Sequence, residues 1–196
     1  MKKHTKYIIE YENVLEDGVI DDIMKAFDSI RGRKLQKGER NGNRKNYAHY
    51  LGMWKNDPYL NYTERKISQY GEYWLGKYRE DCPDINYSMM SEYPILENFV
   101  YRYYKSGDHY NWHVDKSHTD IQLKISLLLF LNDDFEGGEL AFMNDDLKIK
   151  PKKGSVVFFP CGPYFLHSST PILEGNKHVV WNCYGQKATP PDKSYF

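Results

Sequence analysis

Two side chains in the segment Trp112-His113-Val114-Asp115 could share one metal ion, because an extended backbone sends residues two apart to the same face. One imidazole nitrogen and one carboxylate oxygen suit Fe(II), Mn(II), Zn(II) or Ni(II). His167 follows 54 residues after His113, just beyond the apolar run Val156-Val157-Phe158-Phe159-Pro160. A strand returning beside the first would bring this second imidazole to the same ion. Two His and one Asp cover one face of an octahedron and leave room for a co-substrate and dioxygen. Spacing alone leaves a plainer reading standing, in which Asp115 fixes the tautomer of a rim histidine and His167 belongs to a turn. It also leaves His49, His109, His118 and His178 as alternative ligands. Lys177 lies ten residues past His167. Facing the interior it would need an anion; a solvated Lys177 is the simpler expectation.

The elements that must position these residues can be read from periodicity. Tyr7 to Tyr11 reads as a short strand. Val19, Ile20, Ile23, Met24, Phe27 and Ile30 recur at spacings of three and four, which predicts an amphipathic helix over 16–30. A second helix is expected over 62–78, capped by Thr63, with Ile67, Tyr70, Trp74, Leu75 and Tyr78 as its buried stripe. After Pro94 the period changes to two. Strands are expected over 99–104, around Tyr110 to Val114, over 121–131, 139–142, 147–149 and 155–159, and over 178–184. Short strands separated by Gly, Asn, Asp and Pro turns, preceded by helices, predict a mainly β sandwich or barrel with helices on an outer face. The order excludes alternating βα units.

At 196 residues the chain suits a single domain, with 1–92 as an N-terminal strand, helices and lid, and 93–186 as a catalytic core. Lys plus Arg and Asp plus Glu both total 27, so net charge gives no general pull toward nucleic acid or an anionic membrane. The local exception is 31–45, with seven basic residues and one acidic residue, which could touch an anionic substrate or a nucleic acid backbone. No apolar run reaches the ~18 residues needed to cross a bilayer, and the start lacks a secretory h-region. Cys82, Cys161 and Cys183 form no disulfide or zinc pattern, so a reducing, cytoplasmic setting is expected. Tyr47, Tyr50, Trp54, Tyr59 and Tyr62 are expected either to hold the helices to the sheet or to contribute to a lid.

Four blocks in order carry a family resemblance: 104–115 (Tyr104 through Gly107 and His113 to Asp115), 125–132 (Ile125 to Asn132), Gly137-Gly138-Glu139-Leu140, and 153–160 (Lys153 to Pro160) followed by His167 and Lys177. In these the sequence resembles the prolyl 4-hydroxylase-like branch of the 2-oxoglutarate- and iron-dependent oxygenases, including PKHD-type hydroxylases and their phage relatives. The resemblance implies a double-stranded β-helix, a jelly-roll or cupin-like barrel. It implies iron ligation by His113, Asp115 and His167, and 2-oxoglutarate contacts from Lys177, from Tyr104 or Tyr103, and from Thr170. Trp181 matches an aromatic position on the last strand. The implied cofactors are Fe(II), 2-oxoglutarate and dioxygen, with ascorbate as an accessory. The implied reaction hydroxylates an unactivated C–H bond, preferably of a peptidyl proline, with release of succinate and CO2. Another amino acid, a nucleic acid base, or a non-catalytic metal-binding barrel remain the alternatives, and monomer and homodimer both stay open.

Overall fold

The computed structural model describes residues 1–31, 36–37, 42–50, 57–88, 95–96, 99–115 and 121–187. Its N-terminal part contains β1 (Lys2–Lys3), β2 (Ile9–Tyr11), α1 (Asp17–Arg31), β3 (Gln36–Lys37), β4 (Arg44–Lys45) and β5 (Tyr47–Tyr50). Then come α2 (Pro58–Asp81), α3 (Pro83–Ser88), β6 (Ile95–Leu96), β7 (Val100–Tyr104), β8 (His109–His113) and β9 (Ile121–Phe130). The last part holds β10 (Glu136–Gly137), β11 (Leu140–Phe142), β12 (Leu147–Ile149), β13 (Val156–Pro160), β14 (His167–Ser169), β15 (Ile172–Glu174) and β16 (Lys177–Lys187).

The first helix forms where its apolar period places it, burying Ile20, Ile23, Phe27 and Ile30. The second is longer than its apolar stripe suggests, because a better cap lies upstream. The Asp57 carboxylate accepts from the amides of Tyr59 and Leu60 at 3.0 and 3.1 Å, and Pro58 occupies the first helical turn. Thr63 is therefore inside the helix, where its hydroxyl donates to the Tyr59 carbonyl. Gly71 faces the sheet: a Cβ there would lie 3.0 Å from the Tyr184 hydroxyl oxygen.

The expected double-stranded β-helix barrel is not what these strands build. The fold is mixed α/β, with three separate antiparallel sheets of nine, two and five strands. The nine-stranded sheet runs β1-β2-β13-β9-β16-β7-β5-β3, with β6 also pairing β16; the five-stranded sheet runs β12-β11-β14-β8-β4. A closed barrel needs the outer edges of its sheets to bond to each other. Here N-terminal segments occupy those edges instead: β2 pairs the free side of β13, β5 pairs the free side of β7, and β4 pairs β8. The sheets thus extend outward rather than closing.

The large sheet is apolar on both faces. Toward the helices, Ile9, Tyr101, Leu127, Leu129, Phe158 and Val180 join the helical residues Phe27, Ile67 and Tyr78 in one cluster. Phe27 stacks on Tyr101 at 3.8 Å and Tyr78 on Phe158 at 5.2 Å between ring centroids. Toward the five-stranded sheet, Tyr104, Phe130, Val157, Phe159 and Val179 pack with Leu140, Phe142 and Ile149. The described residues contain no helix long and apolar enough to cross a membrane. Residues 32–35 and 38–41 of the basic segment, with Trp54 and His118, lie outside the described residues; Tyr59 and Tyr62 are exposed on α2, and Tyr47 packs against Tyr103.

The turn before β11 depends on two glycines with positive φ, Gly137 at 74° and Gly138 at 66°. A Cβ on Gly137 would meet the Pro171 carbonyl oxygen at 2.2 Å. Strained backbone and a clash with main chain add together, so Gly137→Ala is expected to lower stability by about 2–4 kcal/mol in urea denaturation.

Candidate metal centre

The two imidazoles are brought together by strand register. His167 at the start of β14 pairs with His113 at the end of β8, and their ring centroids lie 4.2 Å apart. Asp115 stands just beyond β8 rather than on it, yet its carboxylate reaches both rings. His113 Nε2 is 3.7 Å from Oδ1, and His167 Nε2 is 3.7 Å from Oδ2. The ligand-capable atoms of the three residues all lie within 4.8 Å of one another.

Hydrogen bonds fix the chemistry each group can offer. A carbonyl oxygen can only accept, so His113 Nδ1 donates to Asn111 O at 2.8 Å and His167 Nδ1 donates to Phe165 O at 3.0 Å. Both rings therefore hold their proton on the outer nitrogen and turn the Nε2 lone pair toward Asp115, as a metal-binding imidazole requires. Burial, reinforced by His167, pushes the pKa of His113 down to about 3, which keeps the ring neutral and able to coordinate. Burial would raise the Asp115 carboxyl. Positive charge at the His167 and His113 positions, with hydrogen bonds from Ser126 and Trp181, outweighs it and holds the group below the usual carboxylate range. The Ser126 hydroxyl and the Trp181 Nε1–H, the latter at 3.3 Å, both donate to Oδ2. Tyr110 stacks on His113 at 3.5 Å, while Phe142 and Phe159 pack against His167.

This donor set fits a divalent ion of intermediate hardness: two neutral imidazoles and a carboxylate, oriented by second partners. Asp115 also lies near Cys161 and Cys183. That softer set fits less well, because burial holds the Cys183 thiol well above its ordinary pKa and a thiol must ionise to ligate. Of the other histidines in the described residues, His4 pairs with Glu10, His49 faces the helix side with Tyr101, His178 bonds Tyr101, and His109 sits at the far end of β8. None joins the cluster.

Lys177 is buried, contrary to the expectation of a solvated side chain. Its ammonium donates to Gly138 O at 2.7 Å and Ser169 Oγ at 3.0 Å, beside the rings of Tyr104 and Phe130. Tyr104 lies directly opposite Lys177 across the ladder. Tyr103 is directed to the other face, where it packs against Tyr47 and His178, so it does not reach the lysine. Thr170 is engaged elsewhere: its hydroxyl accepts from the Glu139 amide and donates to the Glu139 carboxylate, which anchors the glycine turn. Ser169 takes the place expected of Thr170 beside Lys177. The sequence reading missed Ser126, Ser169 and the buried Arg102. A polar residue within an apolar strand was the available signal for Ser126 and Arg102.

Burial lowers the Lys177 pKa to about 7, with Glu139 opposing the shift. The folded value lies below the unfolded one, 10.5, so between about pH 7 and 10.5 the unfolded chain binds more protons. Ligand-free protein is therefore expected to gain stability from this group as pH rises through that window. Urea titrations of wild type and Lys177→Met across it should show the gain in the former and its loss in the latter.

Residues 99–185 match the sequence profile of the 2OG-Fe(II) oxygenase superfamily. A putative prolyl 4-hydroxylase of Acanthamoeba polyphaga mimivirus is 26% identical over 144 residues, covering 62% of this chain and 60% of that relative. A PKHD-type hydroxylase of Prochlorococcus marinus is 31% identical over 90 residues, covering 43% of this chain and 40% of that relative. The chain thus spans about half the length of these curated relatives. In three dimensions it is similar to the 2OG complex of a viral collagen prolyl hydroxylase from Paramecium Bursaria Chlorella virus-1, with TM-score 0.68, 20% identity and 91% and 96% of the two chains covered. A Trichoplax adhaerens prolyl hydroxylase in complex with a hypoxia inducible factor peptide fragment gives TM-score 0.71 at 15% identity, over 92% of this chain and 84% of that one.

Proposed function

We propose that this chain, whose residues 99–185 match the 2OG-Fe(II) oxygenase superfamily and which is related to its prolyl-hydroxylase and PKHD-type branch, is a 2-oxoglutarate- and Fe(II)-dependent dioxygenase that hydroxylates proline in a protein or peptide. The observation that carries the reading is the convergence of His113, Asp115 and His167 in a wall that also buries Lys177. His113 and His167 would hold iron through Nε2, and Asp115 through a carboxylate oxygen. Lys177 would bind the distal carboxylate of 2-oxoglutarate, with Tyr104 beside it. Iron and 2-oxoglutarate bound together would supply the oxidising chemistry with dioxygen as oxidant, one of its atoms entering succinate as CO2 is released and the other entering a C–H bond.

The protein's own part is orientation and dryness. Backbone carbonyls aim the two imidazoles, Ser126 and Trp181 leave Asp115 one free oxygen edge, and the Phe142 and Phe159 rings exclude water from beside His167. The names of the relatives and the peptide held by the Trichoplax enzyme support a proline-containing substrate. The free cysteines Cys82, Cys161 and Cys183 suit a reducing, cytoplasmic setting.

Metal binding can be separated from turnover by titrating the protein with Co(II). Asp115→Ala should abolish binding, whereas Ser126→Ala should weaken it by about 10- to 100-fold through loss of a ligand-orienting bond. Equal affinity in all three proteins would refute the assigned triad. The substrate class is tested by incubation with Fe(II), 2-oxoglutarate, ascorbate and a proline-containing peptide library. Succinate release should accompany a gain of one oxygen on proline in the mass spectrum. Succinate coupled to oxygen on another residue would overturn the proline assignment, and absence of both products with iron bound would overturn the dioxygenase reading.

A further inference from the structure

Strand β7 turns Arg102 and Tyr104 to the face that packs on the five-stranded sheet, and Arg102 lies opposite Val179 as Tyr104 lies opposite Lys177. Arg102 is 7% exposed, and its Nη1 is buried without a hydrogen-bond partner. Its guanidinium sits over the rings of Tyr110 and Trp181, at 5.6 and 5.4 Å from their centroids. Among the described residues no acidic side chain pairs with it. Two aromatic faces offset part of the cost of burying the charge, but they give Nη1 no acceptor.

An unpaired buried guanidinium is harder to accommodate than an unpaired lysine. Lys177 can shed its proton, whereas an arginine cannot. The need for an anion is therefore permanent at Arg102. The two rings that hold it also touch the triad, because Tyr110 stacks on His113 and Trp181 donates to Asp115. Two cations thus lie on one sheet face, Lys177 toward the glycine turn and Arg102 toward the triad. A ligand with carboxylates at both ends matches that pair of cations.

We propose that Arg102 is a second carboxylate-binding residue, pairing with the metal-proximal carboxylate of a bound 2-oxo dicarboxylate while Lys177 holds its distal one. This rests on the dioxygenase reading above. The planar fork of a guanidinium suits a carboxylate approached edge-on, and its fixed place between two rings gives that carboxylate one orientation before substrate enters.

The full chain loaded with Zn(II), which cannot turn over, is titrated calorimetrically with 2-oxoglutarate and, in competition, with 2-oxopentanoate, which lacks the distal carboxylate. Binding of 2-oxoglutarate by the wild type is required by the dioxygenase reading itself, and its absence would remove that reading. Given such binding, Arg102→Gln should weaken both ligands alike, by about 10- to 100-fold. Lys177→Ala should weaken 2-oxoglutarate alone, and Arg102→Lys should retain part of the affinity. Arg102→Gln should keep its zinc affinity and unfold, without ligand, at or above the wild-type temperature, since it removes an unpaired buried charge. Wild-type affinity for 2-oxoglutarate in Arg102→Gln overturns the proposal. In that case, weaker binding of peptides bearing an acidic residue would assign Arg102 to a substrate carboxylate. A lowered unfolding temperature with lost zinc binding would also overturn it, by marking Arg102 as a packing residue.

Discussion

His113 and His167 face each other across one antiparallel ladder, and the rest of the site is arranged around that pairing. Each ring is tethered through Nδ1 to the carbonyl two residues earlier in the chain, Asn111 on β8 for one and Phe165, in the turn just before β14, for the other. Orientation and tautomer are thus set by local backbone, with no distant partner needed to aim either lone pair. Only Asp115 depends on tertiary structure for its pose, through Ser126 on β9 and Trp181 on β16. These strands are adjacent in the nine-stranded sheet, with Cys183 paired to Ser126 and Trp181 to Leu128. The carboxylate is therefore one point at which the two larger sheets are chemically joined, the Lys177–Ser169 bond being another.

Placing ionisable groups in such an interior is costly, and the surrounding packing explains how the fold tolerates it. The nine-stranded sheet is covered on one face by α1 and α2 and on the other by the five-stranded sheet, so its central strands are apolar in both directions except near the triad. Asp115 is surrounded by imidazoles and donors. Lys177 has neutral acceptors only, and Arg102 has aromatic faces. Stability in the ligand-free state is given up where a ligand can return it by binding the folded form.

The parts of this design differ in how legible they were in the sequence. Period-two patterning located the strands and put His113 and Asp115 on one side, while the position of His167 rested on ordered family blocks, since spacing left other histidines open. The failure of the barrel expectation has a physical cause. Alternation along a strand says which face a residue takes, but not which strand lies beside it. The N-terminal segments β2, β4 and β5 could have covered a barrel; instead they pair at sheet edges and leave the sheets separate. Irregular register is equally silent. His167 and Ser169 oppose His113 and Tyr110, with one residue between them on β14 against two on β8, and this bulge brings Tyr110 onto the same side as His113. Simple parity would have separated them. Parity does place Ser169 rather than Thr170 on the side of His167, which is why the serine meets Lys177.

The charge inventory of the inner face limits what can enter it. Around the triad it carries one carboxylate, Asp115, against the fixed guanidinium of Arg102 and an amine, Lys177, that becomes charged when an anion is near. A divalent ion at the triad would raise the positive excess further. Charge of this sign at a buried face disfavours cationic or neutral small molecules and favours a dianion, which removes most of the positive excess while Lys177 keeps its proton.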